Sequence, residues 1–192
     1  MNRHTEADPL AALRSATASR HQALDSGLPI GAADASLTDY AAHLAMLRAW
    51  LAPLQAWMAG FSDGPHFDQA GRLALIDQDL AERGMPAAPS VPDAPEDWPS
   101  AASPAWRWGV CYVIEGSQLG GAVLYQRLRE QLAPHPLRYL KGADAGPGPR
   151  WRTFMLALRE HVRSPAEIID ACAGACAAFD SILALDLHKA TR

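Results

Sequence analysis

The chain has 192 residues, enough for one domain with a sizeable core. Its hydrophobic residues amount to 49%, its charged residues to 20% and its formal net charge to -4, a balance that argues against a nucleic-acid or anionic-membrane partner. No unbroken apolar run approaches the ~18–20 residues of a membrane span, MNRHTEADPL lacks the apolar core of a secretory signal, and three cysteines make no disulfide framework, so the expected compartment is the cytoplasm.

Almost every segment reads as helix. The first starts with Asp8 as N-cap and Pro9 at the first helical position, carries Leu10, Leu13, Thr17, His21 and Leu24 on one face, and stops near Gly27 and Pro29. The second begins near Ser36, with Asp39 three residues on as a capping box. Its Leu37, Tyr40, Leu44, Leu47, Leu51, Leu54 and Met58 keep to three- and four-residue steps, and Pro53 is expected to kink or split it. A third helix runs from about Phe67 to Arg83 on Leu73, Ile76 and Leu80, with Gly84 as its stop.

Residues 85 to 104 are proline-rich and aperiodic, and neither flank looks self-sufficient, so they read as a long internal loop of one domain spanning 1–192. The next helix is capped by Ser103 and Pro104 and ends before Pro134. HPLRYLKGADAGPGP reads as loop, and helices then cover about 150–162 and 165–188. The last opens with a Ser164–Glu167 capping box and presents Ile169, Cys172, Cys176, Phe179, Leu183 and Leu187 as its core face. With no alternating β-branched run and no internal repeat, the fold class is all-α, a single-domain multi-helix bundle.

Two features stand out for chemistry. His21 lies on the expected inward face of the first helix. Such a residue is either a hydrogen-bonded core histidine or an imidazole ligand to a metal or haem iron. Arg14 sits seven residues earlier on nearly the same face, ~10 Å along the axis, where a cation suits a carboxylate on a large planar ligand. His43, on the second helix, is the rival ligand.

The second feature is the run YVIEGSQLGGAVL. With Gly109 upstream, Gly116, Gly120 and Gly121 put four glycines in one helix, at a cost of roughly 3–4 kcal/mol relative to alanine. Close helix crossing explains such a pattern, and so does a backbone that must lie bare against something flat. The glycines alone leave both readings open. Cys172 and Cys176 share a face without a histidine at ligand spacing and read as small core residues. Cys111 reads as structural, and Glu115 has no second carboxylate that can be placed beside it.

Taken together, LRSATASRHQALD and YVIEGSQLGGAVL resemble the haem oxygenase family, particularly its bacterial members. The resemblance implies that His21 is the proximal iron ligand and that Gly116, Gly120 and Gly121 are the distal glycines. Arg14 and Tyr112 become candidate propionate contacts, with Arg150 and Arg152 nearby, and Phe179 matches an aromatic in the last helix. Many family members carry an aspartate after the first distal glycine, where this chain has Ser117. The implied activity is oxygen-dependent opening of haem to biliverdin, iron and carbon monoxide, with haem as both cofactor and substrate. Molecular oxygen and an external electron donor, such as a ferredoxin or flavoprotein reductase, are then required. On that reading Gly116, Ser117 and Gly120 hydrogen-bond the bound oxygen through backbone, hydroxyl and ordered water. The alternatives are a haem carrier or sensor of the same fold that does not degrade its ligand, and a helical bundle without haem.

Overall fold

The computed structural model describes residues 8–65, 70–92 and 98–187. Among them are seven α-helices and no strand: α1 (Pro9–Gly27), α2 (Leu37–Met58), α3 (Ala70–Leu80), α4 (Pro104–Leu128), α5 (Arg138–Lys141), α6 (Gly148–His161) and α7 (Pro165–Leu187), with a single 3₁₀ turn at Pro29–Gly31 after α1. The all-α expectation holds. The expected start of the third helix near Phe67 and the burial of Leu187 lie outside what is described.

Local chemistry sets the helix starts where the sequence places them. The Asp8 side chain accepts from the Leu10 N–H ahead of Pro9, and Ser36 and Asp39 form a reciprocal capping box. Ser103 accepts from the Trp106 N–H, and Ser164 and Glu167 cap α7, with Glu167 Oε2 accepting from the Ser164 N–H at 2.8 Å. Each such cap satisfies amide groups that have no partner inside the helix.

Two expectations are corrected: HPLRYLKGADAGPGP, read as loop, contains α5, and the buried face of α7 differs. Of the kink or split expected at Pro53, the split does not occur: α2 continues through it. It can do so because a row of buried residues, Leu47, Trp50, Leu51 and Leu54, anchors both sides of the proline in the core. In α7 the buried face consists of Ile168, Ala171, Ala175, Ala178, Phe179, Ile182 and Leu185, while Ile169 is 71% exposed. The larger apolar residues suggested a different stripe, but α7 turns its small residues inward because another helix presses against them.

That helix is α4. The two form the most extensive helix pair in the molecule, and α1 lies along α7 as well, while α1 and α4 hardly touch one another. By length and mean hydropathy α7 could cross a membrane; in this fold it is the central helix on which α1, α2 and α4 pack. The main hydrophobic cluster draws on α1, α2, α3, α4, α5, α6 and α7, with Trp50, Tyr40 and Phe154 among its largest fully buried members.

Candidate functional site

The glycines of α4 serve two different purposes. A Cβ on Gly109 would fall 1.8 Å from the Ala171 carbonyl oxygen, and one on Gly174 of α7 only 2.0 Å from that of Trp106. Backbone meets backbone there, and no side chain fits. A Cβ on Gly120 would meet nothing within 4 Å. On Gly116 it would first meet ring carbons of Trp151 at 3.9 Å, and on Gly121 a methyl of Leu140 at 3.8 Å. Close crossing therefore accounts for Gly109, whereas the strip beginning one turn after Tyr112 is bare without any neighbouring helix requiring it.

α1 shares α7 with α4 as its packing surface. Tyr112 joins the two helices at one end: burial raises its phenol pKa, against the opposing pull of the Thr17 hydroxyl and the Arg14 charge. Thr17 is buried and gives its hydroxyl proton to the Leu13 carbonyl at 2.8 Å. One turn beyond Thr17 comes His21. Its side chain is 64% exposed, which corrects the expectation of an inward, buried imidazole. The face buried at Leu10, Leu13 and Thr17 does not extend to this turn. Phe179 of α7 meets the imidazole edge-on, with ring centroids 5.9 Å apart.

The orientation of His21 is set within its own helix. Nδ1 lies 3.0 Å from Asp25 Oδ2, one turn on. With Nδ1–H donating to that carboxylate, Nε2 becomes the nitrogen with a free lone pair. Beside it, Arg20 forms a bidentate pair with Asp180 of α7 at 2.7 and 3.0 Å, which ties α1 to its support. Arg14 is exposed at the Tyr112 end.

Other sequence candidates fall elsewhere. Ser117 gives its hydroxyl proton to the Ile114 carbonyl at 2.8 Å, so it is turned onto its own helix and is not held out as a donor. Arg150 pairs with buried Glu115. His43 is buried in α2. Cys111 is fully enclosed, and burial pushes its thiol pKa far up. Cys176 lies against the Ala16 carbonyl. Among the described residues no group of three or more His, Cys, Asp or Glu side chains is arranged to hold a metal ion.

Sequence reasoning missed Trp151, whose ring borders Gly116 and tilts against Tyr112 at 5.8 Å. Nothing in the α6 sequence marks this tryptophan apart from the other five; only the placement of α6 against α4 does.

α1, which bears the outward imidazole, and α4, which bears the bare glycines, thus both pack on α7 and hardly touch one another. The heme oxygenase from Neisseria meningitidis, in its NO- and CO-bound crystal structures, superposes with a TM-score of 0.71 over 94% of this chain and 91% of that chain, at 20% sequence identity. The chain has the haem oxygenase fold. A heme oxygenase of Xanthomonas campestris pv. campestris (strain 8004) is 42% identical over 110 residues, which cover 56% of this chain and 62% of that protein. The chain therefore matches somewhat less than two thirds of that curated relative's length. No family model matches. The resemblance of the chain to bacterial haem oxygenases is borne out.

Proposed function

We propose that this protein is a haem oxygenase that binds haem in the crevice between α1 and α4 and opens it, with molecular oxygen and an external electron donor, to biliverdin, iron and carbon monoxide. The observations that carry the reading are the bare backbone at Gly120 and the exposed imidazole of His21, on two helices that both pack on α7 and hardly touch one another. The fold match and the sequence match to heme oxygenases support it. Haem suits these residues. A flat macrocycle needs a slab of space free of side chains, and an iron centre needs one neutral nitrogen on the opposite side.

When bound, haem brings the redox iron and is also the ring that is opened. The protein's own part is positional. His21 presents Nε2, with Asp25 holding the tautomer and Phe179 limiting rotation of the ring. Gly120 leaves open space at the α4 surface and Gly116 has only the Trp151 ring beside it, which would let a flat ligand lie close to the main chain. Arg14 and Tyr112, at the mouth of the crevice, are placed to meet the ligand's carboxylates. A ferredoxin or flavoprotein reductase fits the requirement for electrons. The free thiols of Cys111, Cys172 and Cys176 fit a reducing cytoplasm.

Aerobic turnover of the hemin complex with a chemical reductant tests the reading. The Soret band should disappear as biliverdin absorption grows. A Soret band that persists under reductant and oxygen would overturn cleavage and leave a haem-binding protein. His21→Ala should abolish the wild-type ferric spectrum while changing stability by no more than about 0.5 kcal/mol, as expected for an exposed position.

A further inference from the structure

The glycine strip of α4 is fixed by a second contact, away from α7. Glu115, immediately before Gly116, is buried. Its Oε2 accepts from Arg72 Nη2 of α3 at 2.7 Å and from Arg150 Nε of α6 at 2.7 Å, and its Oε1 accepts from Arg150 Nη2 at 2.9 Å. Arg72 also donates through Nη1 to the Ile114 carbonyl at 3.3 Å. Burial by itself would raise the Glu115 carboxyl pKa, but the hydrogen bonds and charges of the two guanidinium groups outweigh it and hold the group ionised.

Arg150 is followed at once by Trp151. The outer ring carbons of that tryptophan lie 3.9 Å from where a Gly116 Cβ would stand. Its ring stacks on buried Phe154, with centroids 5.5 Å apart and planes at 20°, and tilts against Tyr112. Consecutive residues of α4 thus meet consecutive residues of α6, first as a two-point ion pair and then as a ring beside a glycine. A bidentate guanidinium–carboxylate pair fixes direction as well as distance. That matters here because α6 begins without a side-chain cap: Pro147 occupies the N-cap position, and the preceding loop turns through Gly142 and Gly146 at positive φ. The ion pair supplies the anchorage that the helix start lacks.

We propose that the Glu115–Arg150 pair is a latch that positions Trp151 as the side wall of the crevice at Gly116, which makes Trp151 a determinant of how the macrocycle seats and so of which meso carbon is opened. This rests on the haem oxygenase reading. Glu115 and Arg150 are positioning residues that act through Trp151. A purely structural role would alter stability alone.

The test has two arms. In the haem-free protein, near-ultraviolet circular dichroism of Trp151→Phe identifies the band contributed by the stacked indole. Glu115→Gln and Arg150→Gln should lose that same band at unchanged far-ultraviolet signal, and Arg150→Lys should restore part of it. Arg150, half-exposed at the surface, keeps this arm usable if the Glu115 variant fails to fold. In the hemin complex, Trp151→Ala and Arg150→Gln should shift the distribution of biliverdin isomers in the same direction while still binding hemin. Retention of the Trp151 band in both latch variants, or an unchanged isomer distribution in Trp151→Ala, overturns the proposal. If the wild-type chain binds hemin and leaves it intact, the haem oxygenase reading fails and the regiochemical part falls with it, whereas the dichroism still decides the latch.

Discussion

The two halves of α4 use the same amino acid for opposite ends. In the first half, Gly109 sits where the main chains of α4 and α7 come together, and the position has room for a hydrogen atom and nothing more. In the second half, a Cβ on Gly120 would meet open space, and one on Gly116 or Gly121 would reach only ordinary contact with a side chain. One glycine removes bulk so that the protein can pack on itself; the others remove bulk so that the protein stays unpacked. Sequence spacing does not separate these cases, because Gly116 and Gly120 carry the G-x-x-x-G signature of close crossing and are the ones that do not cross.

Substitutions by alanine break the comparison most directly. Gly109→Ala, with a methyl forced into the Ala171 carbonyl, should destabilise the protein by about 3 kcal/mol or more, because the atom it meets is backbone and has nowhere to go. Gly174→Ala should behave alike, and urea titration of both variants is the measurement. Gly120→Ala should change stability in the other direction, by about 1 kcal/mol, since a helical glycine with free space gains propensity on acquiring a Cβ. Loss of stability there would show that the strip is packed after all. Gly120→Leu sharpens the contrast further: it should melt no lower than wild type while its affinity for hemin falls, which spectroscopic titration would record.

A smaller effect is expected from pH. The Glu115 carboxyl has a folded-state pKa below its ordinary 4.5. The unfolded chain therefore takes up the proton first as pH falls, and the stability Glu115 contributes is complete above about 4.5 and lost progressively below it. Denaturant midpoints measured down the acid range should show this limb, and Arg150→Gln should flatten it. An acid limb identical in the variant would assign it to other carboxylates, such as Asp8, whose pKa is lowered chiefly by its hydrogen bond from Arg159.

Helix starts were legible in the sequence because caps are local. Asp8, Ser36, Ser103 and Ser164 each act within a single turn, and each marks the helix that the structure shows. The buried face of α7 was not legible. Periodicity ranks residues by bulk, and at a close crossing the buried residues are alanine and glycine; Ile169 scores as core and faces water. For the candidate site, motif spacing brought out His21 and the glycine strip. It could not anticipate that the His21 ring is exposed, since that depends on how α1 packs against the rest of the chain. Nor could it find the Glu115 cluster, whose members stand 35 and 43 residues apart in the chain. Asp79 was hidden for the same reason. It is fully buried between Tyr40, Arg138 and the Tyr139 N–H, and it joins α3 to α2 and α5.

The pairing of His21 with Asp25 lies within a single helical turn, so the two groups travel as one body. Any displacement of α1 relative to its neighbours carries the carboxylate along with the imidazole. Under the proposed function, the ring nitrogen offered to haem iron is therefore selected by α1 alone.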